Sequence, residues 1–441
     1  MHLTRPFLHL IILLLVFTHS VNAKDYVIDK TRYQDQLKGF WLGQLIANWT
    51  GLVTEMDKIG GEGMHGQFYR RDDWGKADQP SIWGQGIPSE LSKTIDWVLV
   101  TNDEPWGSDD DTDIEYMYQF LMFQHQTSRL SAEQIRDGWM KHIYSDSNTP
   151  FKTADGKPEN YLWVANQTAH DLMRTKGMLP PETGQANNNP HYDMIDAQLS
   201  TEIFGLFAPR NPAVALIISD LPIRTVADEE ALLAAQFYVI LHSLASSIDR
   251  EQPLQPQLES IAKRARKHLP NESYLAHMYD DVFEAYKNSE SWEDVRDNLY
   301  QTYQVAGEHG YDMTSRELYC NGCFAAGINF GASLISYFYG EGDYKETVKL
   351  AALMGWDSDN PAATWGGLLG FIYGYEYLQA SFEEELSTQF NIHRTRSGFP
   401  NDGLDNFDNM ARIGLAVTER VIVTEMNGSV VNNQWVVPML K

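Results

Sequence analysis

The sequence predicts an all-α fold, arranged as one compact multi-helix domain. Apolar residues recur at three- and four-residue spacing in segment after segment, and Pro or Gly stands in most of the gaps. The period of two that is typical of strands is confined to the C-terminal residues. No internal repeat or low-complexity linker divides the chain. We therefore expect one helical domain over residues 24–425, with residues 426–441 as a tail or hairpin strand.

The first 23 residues have the plan of a cleavable secretory signal. Arg5 precedes an apolar run from Leu8 to Phe17, and small side chains stand at Val21 and Ala23. An N-terminal membrane anchor is the alternative, but the run is short for a span of about 20 residues. We therefore predict cleavage after Ala23. The mature protein should be exported, periplasmic or secreted, soluble and monomeric, without membrane contact.

The charge balance excludes whole classes of partner. The 441 residues include 34 Lys and Arg against 60 Asp and Glu, for a formal net charge of −26. Residues 1–23 hold one Arg and no acidic residue, so the mature chain is one unit more negative. Such a field repels nucleic acid and anionic membranes. It would also repel a phosphate-bearing substrate unless cations reversed the local charge.

The helices are predicted from apolar spacing, caps and breakers. The first, at residues 33–49, carries Gly39, Gly43 and Ala47 at intervals of four, so one face of small residues allows close helix approach. Glu55 follows on a loop, where a lone Glu is ordinarily a solvated surface residue. Further helices are predicted at residues 113–127, 131–145, 160–176, 193–208, 211–219, 228–249, 254–268, 272–288, 292–306, 317–340, 344–354, 360–375 and 407–423.

Two features of the C-terminal half do not follow the helical pattern. Residues 421–423, an Asn-Gly turn at 427–428 and residues 430–431 predict a small β-hairpin. Cys320 and Cys323 are the two cysteines of the chain, in the order Cys-Asn-Gly-Cys. In an exported protein they could form a tight disulfide or a redox pair. Without a thioredoxin-like context we favour two structural or weakly bridged thiols.

The most informative stretch is Asp109-Asp110-Asp111-Thr112-Asp113, which leads directly into an apolar helix. A single Asp there would cap free N–H groups and face the positive end of the helix dipole, worth up to about 1 kcal/mol. Three consecutive carboxylates exceed that need, because like charges about 4 Å apart repel by roughly 4 kcal/mol at an effective dielectric constant of 20. If buried, the run requires a proton or a cation. We interpret it as half of a metal site.

A second acidic stretch, Asp357-Ser358-Asp359-Asn360-Pro361, lies between two predicted helices. Pro361 suits the first position of a helix, and one polar residue before it suits the cap. Asp357 and Asp359, two positions apart, can both direct oxygens at one cation. Oxygen-rich sites of this kind are what Mg²⁺, Mn²⁺ or Ca²⁺ requires.

Other sites fit the sequence poorly. An EF-hand would need Gly and Glu where Ile114 and Phe120 stand. The His and Cys residues lack zinc-site spacing, and the chain has no P-loop and no Gly-x-Ser-x-Gly nucleophile turn. Residues 61–66 match the Gly-x-Gly-x-x-Gly dinucleotide pattern, but no strand precedes them and no clear helix follows. We expect a mobile loop beside the site there.

On these residues, the chain resembles the ADP-ribosylglycohydrolase family, which includes the dinitrogenase reductase-activating glycohydrolases. Residues 39–55, the acidic run with Thr112 and residues 355–370 occur in the family's order, and looser matches lie at 195–198, 202–205 and 329–350. The resemblance implies an all-α fold that binds two divalent cations, Mg²⁺ or Mn²⁺, among its helices. It also implies hydrolysis of the N- or O-glycosidic bond between the ribose of ADP-ribose and a protein side chain or small molecule.

The resemblance also implies the site residues. The metal ligands it assigns are Asp109, Asp110, Asp111, Asp357, Asp359, Asn360 and Glu55. Glu55 or Asp110 would act as the acid or base. Asp109 and Asn360 stand where the family commonly has Thr, but both keep an oxygen for a hard cation. The family's Gly-rich substrate loop has no clear counterpart. Where we expect it, residues 227–231 read Ala-Asp-Glu-Glu-Ala, which disfavours a diphosphate.

Three functions are consistent with these observations. The first is an exported dinuclear-metal glycohydrolase acting at the anomeric carbon of ADP-ribose or of a small-molecule or protein-linked ADP-ribosyl substrate. The second is an N- or O-glycosidase for other ribosides, such as nucleosides. The third is a non-catalytic homologue that binds metal or ligand without turnover.

Overall fold

The structure is a computed structural model, and it describes residues 25–82, 89–101, 104–153, 156–312 and 320–438. The predicted signal at residues 1–23 lies outside these ranges. Helices dominate, which confirms the all-α prediction. The α-helices of the described ranges are α1 (Lys30–Gly51), α2 (Asp110–Gln124), α3 (Ala132–His142), α4 (Val164–Lys176), α5 (Asp196–Leu199), α6 (Ile203–Phe207), α7 (Pro212–Ile223), α8 (Glu229–Ala245), α9 (Leu254–Arg266), α10 (Tyr274–Lys287), α11 (Trp292–Leu299), α12 (Ala326–Tyr339), α13 (Tyr344–Ala352), α14 (Asp359–Tyr373), α15 (Tyr375–Ser381) and α16 (Phe407–Glu425). Within these ranges, none is both long and apolar enough to cross a membrane.

Helices α1 and α14 pack against each other at the centre of the molecule. A Cβ on Gly43 of α1 would lie 2.3 Å from the carbonyl oxygen of Gly366 of α14, and one on Gly366 would lie 2.3 Å from the Cβ of Ala47. The predicted stripe of small residues on α1 is therefore a helix contact face. Both helices are buried over most of their circumference, and α8, α12, α13 and α16 pack around them. A helix that is buried all round can carry polar residues only where they meet partners.

The strands are short and lie at the edges of the helical core. β1 (Asp25–Asp29), β4 (Ser429–Val431) and β5 (Gln434–Pro438) form an antiparallel sheet in the order β1-β5-β4, while β2 (Gln389–Asn391) pairs with β3 (Leu404–Asn406). Strands β1, β2 and β3 were not predicted from the sequence.

The predicted hairpin is displaced along the chain. Residues 421–423 belong to α16, where Val421 and Ile422 continue its buried face. Core packing has thus overridden the strand preference of these β-branched residues. β4 and β5 form the hairpin instead, with Asn432 and Asn433 between them.

Some helix predictions also differ from the structure. The segment 193–208 is broken into α5 and α6, and residues 300–305 form a π-helical segment after α11. Gly374, with φ of +88°, separates α14 from the unpredicted α15. Cys320 and Cys323 are buried and joined by a disulfide, so they are bridged rather than free thiols.

Candidate metal centre

Backbone contacts join the loop after α1 to the loop before α14. The Met56 N–H donates to the Trp356 carbonyl at 2.9 Å, and the Trp356 N–H donates to the Lys58 carbonyl at 2.6 Å. A Cβ on Gly51 would lie 2.4 Å from the Cα of Asp359, so the end of α1 abuts the start of α14. Two segments far apart in the sequence therefore present their acidic residues to one space.

Six carboxylates form two groups at this junction. In each group, one oxygen from each residue lies within 4.8 Å of the other two. The groups are the loop acids, Glu55, Asp357 and Asp359, and the helix acids, Asp109, Asp110 and Asp111. As predicted, the helix acids lie at the start of a helix: Asp109 caps α2, and its carboxylate accepts from the Asp111 N–H at 3.2 Å. Four of the six are buried, whereas Glu55 and Asp110 are partly exposed.

Asn48 of α1 connects the two groups. Its Nδ2 donates to Asp111 Oδ2 at 3.2 Å and to Asp359 Oδ2 at 3.4 Å. Asn360 Nδ2 donates to Asp111 Oδ1 at 3.1 Å, and its Oδ1 accepts from Gln198 Nε2 at 3.1 Å. Asn360 therefore orients Asp111 in this structure, and its role as a ligand stays a prediction. Neither Asn48 nor Gln198 was predicted as a site residue from the sequence. A polar residue in the apolar run of the first helix is the signal that could have pointed to Asn48.

All six carboxyl groups have a raised pKa. Burial is the largest cause in each case. The charge of Asp359 comes next for four of them, namely Glu55, Asp109, Asp111 and Asp357. Burial, then Asp196, raises the pKa of Asp110 to about 7. Since each raised pKa reports unfavourable charge, the groups favour either protons or bound cations.

The available oxygens fit hard divalent cations. Carboxylate and amide oxygens are the ligands that Mg²⁺ and Mn²⁺ prefer. Asp359 Oδ1 and Asn48 Oδ1 are buried, and neither has a hydrogen-bond partner within the described ranges. Buried acceptors without a donor are costly. The acidic groups could therefore bind metal, with these two oxygens as ligands.

Asp196 is an acid of this region that the sequence analysis did not assign to the site. Its Oδ1 accepts from the Asn166 N–H at 2.8 Å, and burial raises its pKa to about 7. The signal was present, because Asp196 lies in one of the segments that carry the family resemblance.

The acidic segment at residues 227–231 serves other purposes. Asp228 caps α8, and Glu229 accepts from the Tyr192 hydroxyl. Neither is among the principal electrostatic partners of the helix acids or loop acids. That this segment stands where the family has its substrate loop stays a prediction.

Aromatic side chains stand beside the acidic groups. The Tyr161 ring centroid lies 4.2 Å from that of His393 and 5.7 Å from that of Trp163. Burial, then the charge of Asp109, raises the pKa of the Tyr161 hydroxyl. Tyr161 is 38% exposed and Trp163 is 48% exposed. We call these three residues the aromatic wall; the sequence analysis missed them.

A buried ion pair holds Tyr161 in place. Tyr161 has φ of +51°, in the left-handed region, and its carbonyl accepts from Arg396 Nη2 at 2.9 Å. Arg396 Nη1 donates to the Asn160 carbonyl at 2.8 Å. Arg396 Nε lies 3.1 Å from Asp113 Oδ2, and both side chains are almost fully buried. The fourth acid of the first acidic stretch, Asp113, therefore supports the aromatic wall rather than joining the helix acids.

Comparison with known proteins identifies the family. The sequence profile of the ADP-ribosylglycohydrolase family matches residues 29–406, so the chain belongs to this family. The family is hydrolytic, acts on ADP-ribosylated substrates and is typically metal-dependent. A solved structure titled "ADP-ribosylglycohydrolase-related protein complex" is 15% identical, with a TM-score of 0.48, and the match covers 88% of this chain and 99% of that one. No curated protein matches the chain.

Proposed function

We propose that this protein is an exported glycohydrolase that cleaves the bond at the anomeric carbon of ADP-ribose or of an ADP-ribosylated substrate. Two divalent cations, Mg²⁺ or Mn²⁺, would be held by the loop acids and the helix acids. The observation that carries this proposal is the meeting of two buried acid groups through Asn48. One cation per group is the simplest assignment, with Asn48 Oδ1 and Asn360 as further oxygens.

Bound cations would supply Lewis acidity at the substrate oxygens and lower the pKa of a nearby water. The protein's own task is then proton transfer. Glu55 and Asp110 are the partly exposed members of the two groups, so we assign to one of them the removal of a proton from the attacking water. A positioned general base contributes about 10²–10⁴-fold to the rate. This scheme requires no covalent nucleophile.

The aromatic wall supports a substrate with a planar group. Partly exposed Tyr161 offers a ring for stacking, and it interacts electrostatically with Glu55 and Asp110. A base or other planar group would lie against the wall while the ribose reaches the carboxylates.

A second candidate is an N- or O-glycosidase for ribosides that lack a diphosphate, such as nucleosides. Arg394 interacts electrostatically with Tyr161, but its guanidinium is paired with the Glu159 carboxylate at 2.5 Å. An arginine already held by a carboxylate offers less to a diphosphate, which favours this second candidate.

Parallel hydrolysis assays test the proposal. We would supply Mg²⁺ or Mn²⁺ and compare ADP-ribosyl-arginine, ADP-ribosyl-serine and free nucleosides. We expect cation-dependent release of ADP-ribose, and a loss of about 10²–10⁴-fold in kcat for whichever of Glu55→Gln and Asp110→Asn removes the base. Glu272→Gln, at an exposed Glu, is the matched control and should keep full activity.

The outcomes separate the candidates. Hydrolysis of nucleosides alone favours the second candidate. Cation binding without any product identifies a non-catalytic homologue. Full turnover in both carboxylate variants overturns the assignment of the base. Export rests on residues 1–23 and has its own test, because N-terminal sequencing of the mature protein should begin at Lys24.

A further inference from the structure

A second polar layer lies one helical turn beneath the candidate metal centre. Three helices that contribute a residue to the centre carry another polar residue four positions away, which is about 6 Å along the axis. The pairs are Asn48 with Gln44 on α1, Asp111 with Glu115 on α2, and Asn360 with Thr364 on α14. The deeper residues are at most 2% exposed. Polar groups at this depth must satisfy one another.

Glu115 and Glu202 form the centre of this layer and are in hydrogen-bond contact. Glu115 Oε2 accepts from Gln44 Nε2 at 2.8 Å, and Glu115 Oε1 accepts from the Ile203 N–H at 2.7 Å. Glu202 Oε1 accepts from Thr364 Oγ1 at 2.6 Å. One small network therefore connects α1, α2, α14 and the start of α6.

The pair must hold at least one proton, because two touching carboxylates inside a protein cannot both be charged. Burial raises the pKa of both groups, and the charge of Glu202 raises that of Glu115 further. The principal electrostatic partners of both include no Lys or Arg. We place the last proton on Glu202 Oε2, which has no donor within the described ranges, whereas both oxygens of Glu115 accept from N–H groups.

We propose that Glu115 and Glu202 are a positioning pair that shares one proton and aligns the three helices bearing the candidate metal centre. The inference rests on the proposed function, since the role of the pair is toward bound cations. The hydrogen bond from Glu202 fixes the position of α2 relative to α14. The negative charge on Glu115, one turn from Asp111, adds to the potential that attracts a cation.

Three full-length variants test the pair at pH 8, with Mn²⁺ binding measured by the electron paramagnetic resonance of free Mn²⁺. Glu202→Gln keeps a donor toward Glu115 and keeps the charge, so its dissociation constant should stay within about threefold of wild type. Glu202→Met loses the donor, and Glu115→Gln loses the charge, so each should weaken Mn²⁺ binding by about tenfold or more. Glu259→Gln on α9, where a half-buried Glu pairs with Lys287, is the control.

The contrast between Gln and Met at position 202 separates positioning from general stability. If both variants lose affinity equally, or if Glu115→Gln binds like wild type, the positioning pair is refuted. If Glu115→Gln binds one fewer Mn²⁺ per chain, Glu115 is a ligand and the proposal is again refuted. A wild-type protein that binds no Mn²⁺ overturns the proposed function and the positioning role with it. In that case the unfolding temperatures of the variants in chelator still report whether the proton is shared.

Discussion

Removing the charge of Asp359 should change stability in opposite directions with and without a cation. Asp359 is buried, and its charge is the largest electrostatic cause of the raised pKa values of Glu55, Asp109, Asp111 and Asp357. Asp359→Asn keeps a carbonyl oxygen that can accept from Asn48. The substitution therefore removes charge while disturbing packing little.

The size of the stability change follows from the spacing of the loop acids. Their oxygens lie within 4.8 Å of one another. Two full charges at that distance repel by about 3.5 kcal/mol at an effective dielectric constant of 20. Partial protonation reduces this, so we expect Asp359→Asn to stabilise the cation-free protein by about 1–3 kcal/mol. With cation present, the variant lacks a ligand, and cation affinity weaker by 10- to 100-fold costs about 1.4–2.7 kcal/mol at saturation.

Thermal unfolding in chelator and in Mn²⁺ measures both effects. For a chain of this length the unfolding entropy gives a Tm change of about 1 °C per kcal/mol. Asp343→Asn is the control, because Asp343 caps α13 and Asn caps a helix equally well. A lower Tm for Asp359→Asn in chelator would refute the reasoning, as would a wild-type Tm that does not respond to Mn²⁺.

Three further changes test the surroundings of the site. Tyr161→Ala removes a stacking surface worth about 0.5–1.5 kcal/mol, so KM should rise by about 2- to 12-fold with kcat nearly unchanged; an unchanged KM contradicts the aromatic wall. Arg396→Met leaves the buried Asp113 unpaired and should lower the free energy of unfolding in urea by about 3–5 kcal/mol. Adding Asp113→Asn to Arg396→Met should recover part of that loss. If the changes in the free energy of unfolding of the two single variants simply add in the double variant, the ion pair is contradicted. Asn329→Ala removes the oxygen that accepts from the Asp357 N–H at 3.3 Å. Calorimetry should therefore show Mn²⁺ binding weaker by about 1–3 kcal/mol. An unchanged affinity would show that this contact does not position the loop acids.

The fold class and the place of the acidic groups could be predicted because both are local properties of the sequence. Helical spacing shows which face of a segment is apolar, and three consecutive acids before an apolar helix must lie near its N-terminus. The small residues of α1 likewise predicted a close helix contact. The predictions failed where distant packing decided the outcome. Val421 became helical because α16 buries it, and β1 pairs with β5 across nearly the whole chain.

The candidate site shows the same division between local sequence properties and distant packing. The acids at 109–111 and at 357 and 359 stood out by spacing, whereas Tyr161 did not, because its position depends on a left-handed turn held by Arg396. Asn48 is a single polar residue in an apolar run, and the neighbouring residues in the sequence do not indicate what it contacts. Its partners are known only once α1 lies against α14.

By itself, the sequence determined that this protein is helical, strongly acidic and equipped with two concentrated sets of hard oxygen donors. Only the tertiary structure decided that these sets adjoin, that Asn48 connects them and that Glu115 meets Glu202 beneath them. The physical reason is that periodicity and capping act over a few residues along the chain. The cost of buried charge depends instead on which distant side chains the helices bring within a few ångströms of one another.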